Sequence, residues 1–176
     1  MAHPELSLFS YEIMGLIGTR GAGPHDLLRM ARRGRLLDWA GESQYYVEPK
    51  RLARLGYLEA RTEPGRTRPR TIYTLTEEGR AALREYAGTP VTLTPVKSEV
   101  LLRLLIADLV GEEITRESIG TLREDIADAR RRLDESAEAA EALPHRRTYL
   151  LLVNDHLRRL VDLHEQLVDE VEARLT

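Results

Sequence analysis

Six basic side chains stand in two tight groups, Lys50, Arg51 and Arg54 followed by Arg66, Arg68 and Arg70. Ammonium and guanidinium groups at such spacing are suited to neutralising phosphate oxygens and hydrogen-bonding to them. Between Arg29 and Arg70 there are 11 bases against five acids (Asp38, Glu42, Glu48, Glu59, Glu63), a local +6 in a chain whose formal net charge is −3. The asymmetry persists over the whole length. Residues 1–88 hold 14 Lys+Arg and 11 Asp+Glu, whereas residues 89–176 hold 12 and 18. Only the first half is suited to a polyanionic partner.

Other chemistry is poorly supplied. The chain has no cysteine, which excludes a thiolate nucleophile, a disulfide framework and a cysteine-ligated zinc or iron–sulfur site. His3, His25, His145, His156 and His164 lack the His-x-x-x-His spacing that places two imidazoles on one helix face, and neither a Gly-x-Ser-x-Gly elbow nor a Gly-Lys-Ser/Thr loop is present. The acid pairs Glu112-Glu113 and Asp169-Glu170 read as solvated helix faces. The expectation is therefore no catalytic residue, no metal and no cofactor. Apolar runs such as Leu150-Leu151-Leu152-Val153 fall far short of the ~20 residues that cross a bilayer. With no basic segment leading into an apolar stretch near Met1, a cytoplasmic location and no membrane partner are expected.

The elements that must carry the bases follow from periodicity. Phe9, Ile13, Leu16 and Ile17 form one apolar helical face that ends at Gly18. Pro24 opens a second helix with Leu27, Leu28 and Met30 to pack, Gly34 to stop it, and a short Leu36-Leu37-Asp38-Trp39 stretch beyond. Ser43 is placed to cap a third helix that runs to Leu55 before Gly56 and carries Lys50, Arg51 and Arg54. Pro49 inside it removes the bond to the Tyr45 carbonyl, so a kink or restart near Glu48 is expected. Residues 57–61 and 71–75 then alternate in the two-residue period of strands around Pro64-Gly65-Arg66-Thr67-Arg68-Pro69-Arg70, a hairpin with a basic tip. Thr76 is placed to cap a fourth helix with Glu77 and Glu78 in its first turn.

Three helices, a hairpin and a further helix make the order of a winged helix-turn-helix, in which the third helix enters the major groove of DNA. The bases fall on that helix and on the wing, so charge and architecture agree. After this domain of residues 1–88, a linker is expected over 89–94, with Thr94 as cap and Pro95 as first residue of an all-helical domain over 95–176. Helices are expected over 100–109, 116–143 and 147–175, the last two returning antiparallel through a short connection. Along the last helix Leu150, Val153, Leu157, Leu160, His164, Leu167 and Val171 form a candidate dimerisation seam, widened by Val161, Val168 and Leu175. His164 is its odd polar member.

The stretch from Tyr46 through Lys50-Arg51-Leu52, Leu55-Gly56-Tyr57-Leu58, the 64–70 tip and Tyr73-Thr74-Leu75-Thr76-Glu77-Glu78-Gly79 resembles the PadR family of transcriptional regulators. The resemblance covers roughly residues 6–86, with the remainder similar by arrangement to the family's dimerisation region. It implies a homodimer on operator DNA with two-fold symmetric half-sites, usually a repressor, released by a small-molecule effector or by stress. The candidate DNA contacts are Ser43, Gln44, Tyr45, Tyr46, Lys50, Arg51, Arg54, Arg66, Arg68, Arg70 and Tyr73. Of Tyr45 and Tyr46, about 100° apart on a helix, one is expected to be core and Tyr46 to face phosphate. Lys50 and Arg51 are expected to be exposed positions whose loss spares the fold. Trp39 is the candidate ligand-stacking residue. The rival reading is a dimeric winged-helix adaptor for protein partners that does not bind DNA.

Overall fold

The computed structural model describes residues 3–33, 40–64, 69–93 and 95–175. The chain divides into two compact units, residues 1–92 and 93–176. No helix among the described residues is long and apolar enough to cross a membrane.

In the first unit α1 (Leu8–Ile17) begins at Ser7, whose hydroxyl accepts from the Ser10 amide while the Ser10 hydroxyl accepts from the Ser7 amide. This reciprocal cap satisfies two of the free amides at a helix start. α2 (Pro24–Arg33) opens on proline as expected, and α3 (Gln44–Arg54) follows. Ile13, Met14, Ile17, Leu27 and Leu52 meet in the fully buried centre, where each such side chain stabilises the fold by ~1.5–3 kcal/mol.

Strands β1 (Leu58–Glu63) and β2 (Arg70–Leu75) pair antiparallel from Leu58 opposite Leu75 to Glu63 opposite Arg70. Ala22 adds a bridge to Tyr73, exchanging both backbone bonds at 3.0 Å. Gly21 makes that approach possible. Its φ is 78°, and a Cβ there would lie 2.9 Å from the Tyr73 carbonyl oxygen. α4 (Glu77–Ala87) starts at Thr76, whose hydroxyl accepts from the Gly79 amide at 3.1 Å and donates to the Gly56 carbonyl at 2.7 Å. Thr76→Ala removes both bonds and is expected to lower stability by about 1 kcal/mol, read as a shift in the denaturant midpoint without a change in slope.

Two expectations for α3 are corrected. The helix runs unbroken through Pro49, with no restart at Glu48. The proline ring is fully buried and its neighbour Glu48 is anchored from two sides, so tertiary contacts offset the one missing backbone bond. Ser43 does not cap with its side chain; it lies in a helical conformation inside an entry turn closed by Gln44, Tyr45 and Tyr46 amides on the Gly41, Glu42 and Ser43 carbonyls.

The second unit is helical: α5 (Glu99–Leu105), α6 (Ala107–Val110), α7 (Glu112–Gly120), α8 (Leu122–Glu141) and α9 (Arg147–Arg174). Pro95 is not helical; α5 starts at Ser98, whose hydroxyl accepts from the Leu101 amide at 3.3 Å, and Thr94 lies outside the described residues. The helix expected over 100–109 is interrupted at Ile106. That expected over 116–143 breaks at Thr121, after Gly120 and where the hydroxyls of Ser118 and Thr121 bond back to carbonyls one turn earlier.

α8 and α9 pack lengthwise. Ile119 near the end of α7 and Ile126, Leu133 and Ala140 of α8 recur every seven residues on one side, and Asn154, Val161 and Val168 do so on α9, with Leu157 and Val171 beside them. Arg123 reaches Asp169 and Glu172, Arg130 reaches Asp162 and Glu165, and Arg158 reaches Asp134, so the register is held on its exposed flank as well.

Candidate nucleic-acid interface

α3 has two unlike faces. Tyr45, Glu48, Pro49 and Leu52 point into the first unit, while Ser43, Tyr46, Val47, Lys50 and Arg54 share the opposite face and are exposed, with Gln44 exposed at its edge. Tyr46 is 41% exposed and Tyr45 only 4%, the division expected from adjacent helical positions. The Tyr45 hydroxyl donates to Glu12 at 3.1 Å and its ring stands edge-on to Phe9. Tyr45 is therefore a core residue and is removed from the DNA contacts. Tyr73, 3% exposed, is likewise core, and burial pushes its phenol above the usual range.

Lys50 and Arg54 make no ion pair among the described residues, which leaves both charges free for a ligand. Arg51 is different. Its Nε donates to Glu48 at 2.8 Å, and its Nη2 lies 2.7 Å from the other Glu48 oxygen, 3.0 Å from the Glu5 carbonyl and 3.1 Å from the Ser10 hydroxyl. Glu48 is buried at 7% exposure and also accepts from Ser10 at 2.7 Å. The bond from Arg51 holds the Glu48 carboxyl below the usual carboxylate range despite the opposing effect of burial. Arg51, expected to be an exposed position whose loss spares the fold, is instead half-buried, and removing it would strand a buried charge. Its signal in the sequence was the three-residue step from Glu48 to Arg51, which places acid and base on one side of a helix.

At the wing, Arg70 is exposed and pairs with Glu63 at 3.1 Å, which Arg61 also meets at 2.7 Å. Arg66 and Arg68 lie outside the described residues, as does Trp39. Elsewhere among the described residues Arg29 is matched by Asp26 and Arg32 by Glu42.

The candidate dimerisation residues divide between two faces of α9. Leu157 and Val171 are buried in the apolar core of the second unit of the same chain, which corrects their assignment to a contact between chains. Leu150, His164 and Leu167 are half-buried, and the His164 Nδ1 sits 2.7 Å from the Leu160 carbonyl oxygen of its own helix. Val153 and Leu160 are exposed together with Tyr149, Leu152 and Leu163, a stripe that α8 does not cover. A shallow groove of about 410 Å³ there is lined by His156, Arg159, Leu160, Asp162, Leu163 and Gln166.

No protein-family model matches the chain, and no curated protein does. Solved structures do. The chain is similar to the Bacillus subtilis PadR in complex with operator DNA, at 19% identity and a TM-score of 0.70 over 94% of this chain and 98% of that one. It is similar to a PadR-like transcriptional regulator from Bacillus cereus, at 14% identity and TM-score 0.71 over 96% and 99%. The Vibrio cholerae virulence activator AphA matches at 20% identity and TM-score 0.70 over 94% and 96%. The winged helix with its helical second unit is thus a PadR-like fold.

Proposed function

We propose that the chain is a sequence-specific DNA-binding transcriptional regulator that places α3 in the major groove and works as a homodimer on two-fold symmetric half-sites. The observation that carries this reading is the outer face of α3, where Lys50 and Arg54 are exposed beside Gln44, Tyr46 and Val47 and have no carboxylate partner among the described residues. Cations free of internal ion pairs can release phosphate counterions on binding, and an amide and a hydroxyl beside them can meet base edges and backbone. Gln44, Tyr46, Lys50 and Arg54 are the contacts in this reading, with Ser43 at the helix start and Arg66, Arg68 and Arg70 on the wing. The B. subtilis PadR was solved with operator DNA and, separately, with p-coumaric acid. By that likeness we extend the reading to a repressor released by a small-molecule effector, with Trp39 as the candidate stacking residue.

Support for a second copy as partner comes from apolar surface that one chain leaves open. Tyr149, Leu152, Val153, Leu160 and Leu163 line α9, and Leu101, Leu102, Leu105 and Leu109 are exposed along α5 and α6. His156, Arg159, Leu160 and Leu163 have the i, i+3, i+4, i+7 spacing of a hole that accepts one side chain of a facing helix.

The test is duplex affinity against salt for the parent, Lys50→Ala and Arg54→Ala. Each replacement is expected to weaken binding and to reduce the slope of log affinity against log salt by about one. Unchanged slopes in both variants would remove α3 from the interface. A flat response in the parent would favour the protein-binding adaptor.

A further inference from the structure

Arg51 belongs to the helix proposed to read DNA, yet its guanidinium is held on the opposite side of that task. Four partners surround it: both oxygens of Glu48, the Ser10 hydroxyl on α1 and the Glu5 carbonyl in the segment before α1. Ser10 is itself fully buried and donates to Glu48, so the charge pair is tied into α1 as well as across it. The segment carrying Glu5 is fixed in turn, since the Tyr57 hydroxyl donates to the Glu5 carboxylate and lies 3.0 Å from His3, whose other ring nitrogen lies 3.1 Å from Glu85 on α4.

The position of the pair along α3 matters more than its strength. Glu48 and Arg51 flank Pro49, whose ring nitrogen cannot donate to the Tyr45 carbonyl one turn earlier. The side-chain bridge from 48 to 51 covers the turn that follows and ties it to α1 through Ser10. Of the other inward residues of α3, Tyr45 adds a hydroxyl bond to Glu12 on α1 at one end of the helix, while Pro49 and Leu52, nearer the pair, pack by apolar contact, which is non-directional and tolerates small rotations. A charge pair with several hydrogen bonds does not tolerate them, because each bond weakens steeply once its angle departs from linearity.

We propose that Glu48 and Arg51 are positioning residues for DNA recognition, a strut against α1 that sets the rotation of α3 about its own axis and so aims Gln44, Tyr46, Lys50 and Arg54. The inference rests on the DNA-binding reading above. It separates two roles that composition alone merges: Lys50 and Arg54 meet the nucleic acid, and Arg51 decides which sequence they can read without touching it.

The test compares duplexes selected by the protein from a random-sequence pool with an unselected duplex of the same length. Glu48→Ala, Arg51→Ala and the double variant are measured beside the parent across salt. The double variant avoids a stranded buried charge and keeps the comparison valid if either single variant fails to fold. In it the preference for selected over unselected DNA is expected to fall at least about tenfold, with affinity for unselected DNA and the salt slope as in the parent. A slope reduced by about one in Arg51→Ala, as for a phosphate contact, overturns the strut. So does full selectivity in the double variant. Absence of salt-dependent binding in the parent would instead sink the DNA-binding reading, and with it this role; the strut itself would still be visible as non-additive melting of the single and double variants.

Discussion

Gly79→Ala is expected to destabilise the first unit by about 3 kcal/mol, lowering its melting temperature by roughly 10–20 °C. Helix propensity alone argues the other way, since alanine inside a helix is better than glycine by ~1 kcal/mol. At Gly79, however, α4 passes so close to the start of β1 that a Cβ would overlap the Tyr57 carbonyl oxygen and press on Leu75 Cδ2 at 3.2 Å. The obstacle is backbone, and that carbonyl accepts from the Thr76 amide, so it cannot swing aside without loosening the cap of α4. Six of the seven tyrosines lie in residues 1–92. Near-ultraviolet circular dichroism during heating therefore follows this unit. Gly15→Ala serves as control: its Cβ would meet nothing within 4 Å, and a neutral or slightly stabilising result is expected. Equal melting of the parent and Gly79→Ala would contradict the close approach.

For the homodimer proposed above, Leu160→Asp combined with Leu163→Asp is expected to raise the dissociation constant at least about a hundredfold, measured by sedimentation beside the parent. Both leucines lie on the α9 face that α8 leaves open, so their replacement spares the seam of Leu157, Val161, Val168 and Val171. Carboxylates placed there would have to be buried next to their symmetry mates, which adds repulsion to the lost apolar area. Helix content of the dissociated chain is expected to stay near that of the parent, a readout that distinguishes a lost interface from a lost fold. A variant that remains dimeric would move the contact elsewhere, with the exposed leucines of α5 and α6 next in line.

The order of elements was legible in the sequence because local chemistry enforces it. Pro24 opens α2, Thr76 caps α4, and the alternation on either side of the 64–70 tip becomes the paired strands β1 and β2. Each of these signals acts within a few residues, where backbone geometry and capping bonds outweigh distant contacts. The divergence of Tyr45 and Tyr46 was legible for the same reason: adjacent helical positions cannot share a face.

Contacts between distant residues were not legible. Nothing local announces that Ser10 and Glu48, 38 positions apart, meet in the core, and that meeting ties Arg51 to α1. Pro49 sits in an unbroken helix because buried neighbours offset a bond its own chemistry removes. On α9 the apolar period was plain, but α9 is apolar on more than one face. Only the packing of the second unit determined that Leu157 and Val171 are covered within the chain while Val153 and Leu160 remain open. Periodicity sets how often a helix presents an apolar side chain; which partner covers it is decided by the tertiary competition to bury area, a sum over the whole unit that no short stretch of sequence contains.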